Sequence, residues 1–333
     1  MSLERVSRSE WSTTGNTDII TQPRRSRNRE EIVIRVGTCS WTEKSLIKSG
    51  EFYPKGMRTA EDRLRYYAGN FSTVEVDSTY YAIPGTSTSS LWAERTPQNF
   101  IFHIKAYGAL TGHGVDPKTL PPGIAESLPP ADRDRKYVYV KDAALLDSIA
   151  GRFRDSLSPL VRAGKLGVIV FQFPPWFHYS PANMDTLTDC KRLMNGLDIA
   201  VEFRHGSWLL PERVKPLLNF LAENGITYVA ADEPRYGSLA TVPFMPAVTT
   251  DMAYFRFHGR NRENWLRRGI ETSLRYDYLY SDAELGEFAP SVMEAAAAAS
   301  TVFTMFNNCH GASAVRNAIS FTELLKRKNA DTR

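Results

Sequence analysis

The sequence predicts a single (β/α)₈ TIM barrel with a disordered N-terminal tail, and three observations carry that expectation. Eight short apolar runs rich in β-branched residues recur along the chain, helical patterns separate most of them, and no glycine-rich phosphate loop follows the first run. Nearly continuous apolar strands separated by helices belong to a parallel sheet covered on its outer face. Eight such units in about 300 residues match one barrel. The rival doubly wound sheet often carries a glycine-rich loop after its first strand, and "VGTCSWTEKS" is not one.

Residues 1–30 are polar, contain the basic cluster "RRSRNR" and lack the apolar block of a signal peptide, so they read as a disordered, solvated tail. The folded region is expected over 31–327, with 328–333 as a short C-terminal tail. The strand runs are Ile32–Thr38, Ser72–Thr79, Phe100–Ala106, Leu166–Phe173, Leu197–Phe203, Ile226–Asp232, Met252–Gly259 and Ser300–Asn308. "TAEDRLRYYAGN" opens on a Thr cap with acidic first-turn residues and ends near Gly69. "KDAALLDSIAGRFRDSLSPLVRAG" has helical apolar spacing and stops at Gly164, and "PERVKPLLNFLAENG" runs from Pro211 to Gly225. "DAELGEFAPSVMEAAAAA" precedes the eighth strand and "SAVRNAISFTELLKRK" follows it. The Pro- and Asp-rich stretch 112–138 is an insertion after strand three, lying over the mouth or side of the barrel.

The 333 residues are 42% hydrophobic and 23% charged, which is ordinary globular composition. A net charge of +4, from 41 basic and 37 acidic residues, gives little ground for a dedicated nucleic-acid binder. Cys39, Cys190 and Cys309 lie far apart without metal or redox spacing, which points to a reducing, cytoplasmic compartment. No apolar run is long enough to span a bilayer.

In a parallel barrel the carboxyl ends of the strands share one face, so their terminal side chains converge there. Here nearly every strand ends in polar residues. They include Thr38, Ser40 and Trp41, then Glu75, Asp77 and Tyr80, then His103, Lys105 and, a little beyond, His113. Gln172, then Glu202, Arg204 and His205, then Asp232, Arg256, His258, Asn307 and Asn308 complete the rim. Alternation along a strand puts Ala200, Glu202 and Arg204 on one side, predicted to be the interior, with Val201 and Phe203 packing on helices and His205 turned away. Glu202 is expected beside Gln172 and Asp232, within reach of Arg204 or Arg256. His103 reads as packed or outward-facing, and most tryptophans as core; Trp41, Tyr80 and Trp208 are the aromatics best placed to stack on a planar ligand.

The motifs "VGTCSW", "FYP", "YYAGNFSTVEVDSTYYAIP", "LWAERTPQNFIFHIKA", "TGH", "FQFPP", "VEFRHGSW", "FRFHGRN" and "FNNCHGASAVRNA" occur in that order. Together they resemble the domain-of-unknown-function-72 family, also called YecE-like, over about Ile32 to Leu325. The resemblance implies a TIM barrel with these motifs at its carboxyl-end mouth and leaves the reaction open. The positions it carries over are Glu75, Ser78, Lys105, His113, Gln172, Glu202, Arg204, Trp208, Arg256, His258, Asn307 and Asn308. The basic tail lies outside the family pattern.

Two functional classes follow. In the first, the protein is an enzyme acting on a phosphorylated or polyhydroxylated ligand, with Glu75, Glu202 and His258 as the acid–base groups and Arg204, Arg256 and Lys105 holding an anion. A divalent metal on Glu75, Glu202, Asp232, His205 and His258, as in barrels of the endonuclease IV kind, is the minority form of this reading; no HxxxH or ExxH helix motif supports it. In the second class the protein binds nucleic acid through its cationic and aromatic residues, including the loop "GRNRENWLRRG" (259–269). That loop reads by preference as solvated, and mouth carboxylates repel phosphate, so the enzyme class is favoured.

Overall fold

The structure, a computed structural model, describes residues 20–21 and 33–331. Eight parallel strands form one sheet: β1 Val33–Thr38, β2 Thr73–Val76, β3 Ile101–Lys105, β4 Leu166–Gln172, β5 Ile199–Glu202, β6 Thr227–Asp232, β7 Met252–Phe257 and β8 Thr301–Phe306. Neighbours pair in sequence order from β2 to β8, and β8 pairs with β1 in full register from Thr301↔Val33 to Phe306↔Thr38. The result is a TIM-type barrel, nearly closed.

The remaining seam lies between β1 and β2, where a side chain takes the place of the ladder. Tyr67, buried on the first long helix, accepts from the Thr38 amide (2.9 Å) and donates to the Thr73 carbonyl (3.2 Å). The strands approach so closely that a Cβ on Gly37 would overlap the Thr73 carbonyl oxygen and stand 2.9 Å from its methyl group. Glycine is required there by crowding rather than by an unusual backbone angle.

Seven long helices cover the sheet: α1 Ala60–Asn70, α2 Thr86–Glu94, α3 Ala143–Arg162, α4 Pro181–Leu193, α5 Pro211–Glu223, α6 Asp282–Ala298 and α7 Ser313–Asp331. Their starts follow from the local sequence. Thr59 and Ser281 form capping boxes with Asp62 and Glu284, and Asp142 and Ser180 cap α3 and α4. Three details complete the outline. In the sixth unit, residues 233–251 join β6 to β7 without a helix, through bends, a turn at 239–240 and the short strand Ala247–Val248. Ile20–Thr21 pairs in parallel with that short strand; the other residues of 1–30, for which a disordered tail is expected, lie outside the described residues. Residues 328–331, expected as tail, continue α7.

The insertion 112–138 is built from short turns and helices around buried Leu120, Ile124 and Leu128, tied by a Val115–Val138 bridge. It packs along the side of the barrel, where Thr119–Pro122 and the start of α2 face Arg152, Asp155 and Ser156 of α3 across an open groove of about 440 Å³. No helix among the described residues is long and apolar enough to cross a membrane.

Candidate active site at the barrel mouth

Strand alternation sorts the interior into layers. His103, Val168, Tyr254 and Phe303 pack the floor, with Tyr254 and Phe303 edge-on to the His103 ring at 4.9 and 4.2 Å. The Val168 amide donates to His103 Nδ1 (3.1 Å), and burial pushes this histidine down to about 3, so it is a neutral packing residue. Above it lies a layer of ions.

Glu202, at the end of β5, is the centre of that layer. Its Oε1 accepts from Gln172 Nε2 (2.7 Å), His258 Nε2 (3.0 Å) and Arg204 Nη1 (3.2 Å), and its Oε2 accepts from Arg256 Nη1. Register explains the convergence: Gln172 is paired with Glu202 across β4 and β5, and Arg256 and His258 project inward from β7. Burial alone would raise the Glu202 carboxyl, but Arg256 foremost, with His258 and Arg204, holds it well below the usual carboxylate range. Arg256 is fully buried and reaches across to Glu75, whose Oε1 accepts from Nη2 (2.6 Å) while Oε2 accepts from the Tyr254 hydroxyl (2.9 Å).

Glu75 is the opposite case. Burial pushes it up to about 7 against the pull of Arg256, and Asp77 adds to the rise through its charge and a carboxyl–carboxyl hydrogen bond. Asp77 is partly exposed at the mouth, 3.4 Å from Lys105 Nζ and 3.6 Å from Arg256 Nη2. Burial works against the Lys105 ammonium, but Asp77 outweighs it and keeps the lysine charged. His258 receives a hydrogen bond from Asn307 Nδ2 at Nδ1 (2.8 Å) and donates from Nε2, which makes it the neutral Nε2–H tautomer; burial takes it down to about 4 despite Glu202.

Above these ions opens a pocket of about 170 Å³, walled by His113, Gln172, Arg204, Trp265, Arg275 and Tyr276. Arg204 lies over the Trp265 ring at 4.8 Å and is gripped by Glu233, 3.0 Å from Nε. Lys105 lies 5.1 Å from the Tyr80 ring, which meets His113 edge-on. Burial, with Lys105 and Arg204, drives His113 down to about 4.

Of the residues singled out from sequence, Glu75, Asp77, Lys105, Gln172, Glu202, Arg204, Arg256, His258 and Asn307 meet in this network, with Tyr80 and His113 at its edge. The others sit elsewhere. Trp41 is buried against Trp92 and Phe102 in the outer packing layer. Trp208 is buried in a stack with Phe203 and Phe177 and donates to the Phe177 carbonyl (2.6 Å). Neither has a face open to the pocket. Ser78 is exposed on the turn Asp77–Tyr80, and Asn308 ties the Tyr278 carbonyl to Asn317 of α7. Asp232 does not stand beside Glu202. It faces outward, bound by Arg260 and the Tyr280 hydroxyl, because Val229, Ala231 and Glu233 take the interior parity. His205 is turned away and stacks on His178 at 3.9 Å. The five residues weighed as metal ligands are therefore not gathered in one place, and the described residues contain no cluster of three or more His, Cys, Asp or Glu able to hold an ion.

Sequence reasoning missed Glu233, Trp265, Arg275 and Tyr276. Counting alternation one residue past Asp232 identifies Glu233. The loop 259–269, expected to be solvated, instead buries Trp265 near His258 and Arg204; its apolar anchor is a single residue without periodicity, so no pattern marks it.

The chain resembles a curated protein, UPF0759 protein YunF of Bacillus subtilis (strain 168), at 29% identity over 296 residues, 88% of this chain and 95% of the relative. Among solved structures, a DUF72 family protein from Enterococcus faecalis V583 matches with a TM-score of 0.72 at 29% identity, covering 88% of this chain and 96% of that one. Another DUF72 family protein, from Thermotoga maritima MSB8, matches with a TM-score of 0.69 at 31% identity, covering 88% and 99%. The family model described as "Protein of unknown function DUF72" matches residues 35–333, and the chain belongs to that family.

Proposed function

We propose that the protein is an enzyme performing acid–base chemistry on a small phosphorylated or polyhydroxylated ligand held at the carboxyl-end mouth of the barrel. The observation that carries this reading is the contrast between two carboxyl groups bound to one arginine. Glu202 is held ionised by four donors, whereas Glu75, on the other side of Arg256, is pushed toward neutrality beside Asp77. The member pushed toward neutrality, Glu75, can carry a proton at neutral pH, while the ionised Glu202 holds the shared arginine and its neighbours in place. A buried ionic network is also a weak source of stability, so a second use for it is reasonable.

In this reading Glu75 and Asp77 share a proton beneath the pocket, and Asp77, the more exposed of the two, passes it toward the mouth beside Lys105. Lys105 stabilises negative charge developing on a ligand oxygen. Glu202 is a positioning residue that aligns Gln172, Arg204, Arg256 and His258. A pocket of about 170 Å³ suits a single sugar ring or a compact organic anion and falls short of the roughly 300–1,000 Å³ of drug-sized sites. That size, and the carboxylates beneath it, favour a small molecule over a nucleic-acid strand.

The test uses glucose 6-phosphate and glucose as probes. Calorimetry is expected to detect one or both, with binding weakened in Lys105→Met, and NMR of the probe is expected to detect turnover that Asp77→Asn abolishes while binding persists. Probe binding of equal strength in the native protein and Lys105→Met, with no turnover in either, would reject the proposal.

A further inference from the structure

The pocket wall carries a feature that the acid–base network does not use. Arg275, on the turn Thr272–Tyr276 between β7 and α6, lines the same pocket as Arg204. Its Nη2 donates to the Arg267 carbonyl (2.9 Å), which fixes the guanidinium in place. Its Nε is buried and has no hydrogen-bond partner. Among the described residues no carboxylate forms an ion pair with it. Arg204 differs: its Nη1 donates to Glu202 and its Nε lies 3.0 Å from Glu233 Oε2, so two carboxylates already offset its charge.

No Asp or Glu lines the pocket. The two arginines share its wall with His113 and Gln172, between the apolar faces of Trp265 and Tyr276. A buried guanidinium nitrogen without an acceptor is costly, and the fork geometry of arginine matches an oxyanion. Resting on the reading above, we infer that Arg275 and Arg204 form a two-armed clamp for an oxyanion, and that the ligand is an organic anion, carrying a phosphate or carboxylate, whose body packs on Trp265 and Tyr276. This selects the anionic class from the two that the mouth admits. Arg275 supplies the uncompensated charge; Arg204, already neutralised from behind, supplies direction.

Inorganic phosphate, acetate and glycerol serve as probes in calorimetric titrations of the full chain at low ionic strength. The clamp requires at least one of the two anions to bind and glycerol to bind no better than in a protein lacking the arginine. Arg275→Gln is expected to weaken anion binding about tenfold or more, and Arg275→Lys, which keeps the charge but loses the fork, by less. Because Arg275 also holds a loop carbonyl, the melting temperature of each variant is read alongside; anion binding that falls while melting is unchanged supports the clamp. Phosphate preferred over acetate identifies a phosphorylated ligand, and the reverse a carboxylate. Anion affinity in Arg275→Gln within about twofold of native overturns the clamp, as does the absence of binding by both anions. If glucose still binds and still depends on Lys105 in that event, the active-site reading stands without it.

Discussion

Replacing Glu202 by Gln keeps the shape of the side chain and removes the charge on which the ionic layer is built. In the native protein the carboxylate accepts from Gln172, Arg204, Arg256 and His258 and donates nothing. An amide in its place has one accepting oxygen and an NH₂ group that must face a donor. Arg256, fully buried, keeps Glu75 as its close carboxylate, with Asp77 at 3.6 Å and the Cys39 sulfur at 3.7 Å. Removing one partner of a buried pair costs about 3–5 kcal/mol, mostly through the charge left behind. At about 2–4 °C per kcal/mol for a chain of this general size, melting should fall by on the order of 10 °C. Scanning calorimetry at neutral pH measures it. The double variant Glu202→Gln/Arg256→Met should be destabilised by less than the sum of its two single changes, since each removes the same interaction. The pH dependence has a definite sign. Glu202 has a depressed folded-state pKa, so its contribution is present above the ordinary carboxylate pKa and lost as pH falls through the folded value. A Glu202→Gln protein melting within about 1 °C of native would refute the claim that this carboxylate holds the layer together.

The seam between β1 and β2 gives two further predictions. Tyr67→Phe leaves the Thr38 amide and the Thr73 carbonyl without their shared partner and should cost about 1–3 kcal/mol in urea unfolding; Gly37→Ala should cost a similar amount by forcing the strands apart. Unchanged unfolding midpoints would show that the seam closes by other means. His103 and His258 are pushed down to about 3 and 4, so the stability they confer as neutral groups is complete above about pH 6.5 and lost as pH falls through those values, at up to about 1.4 kcal/mol per pH unit for each. Glu75 runs the other way, its raised pKa favouring the fold below the ordinary carboxylate value and ceasing to help as pH rises through about 7. Stability measured from pH 4 to 8 in native protein and in Glu75→Gln separates the two trends; identical profiles would contradict the raised Glu75.

Strand periodicity made the barrel and much of its mouth legible. The alternation that turned Ala200, Glu202 and Arg204 inward, and Val201 and Phe203 outward, holds in the structure, and it extends to Arg256 and His258 on β7. Two helices were not listed from sequence. α2 is "TSTSSLWAE" and α4 is "PANMDTLTDCKRL", both rich in residues that compete with the helix for backbone bonds, and packing carries them instead. The missing sixth helix left no positive signal. Trp41 and Trp208 were misplaced because a motif at a strand end does not say whether its aromatic ring turns toward the pocket or back under a helix. The pocket wall from Trp265 to Tyr276 comes from a long connection whose path depends on tertiary contacts with Arg204 and His258.

Electron density from crystals soaked in glucose 6-phosphate shows directly whether the ligand binds at the mouth above Glu202. The ligand is expected in the pocket near Lys105, Gln172 and Arg204, with its phosphate between Arg204 and Arg275. Density for the probe in the side groove between Thr119–Pro122 and α3, with none at the mouth, would contradict it.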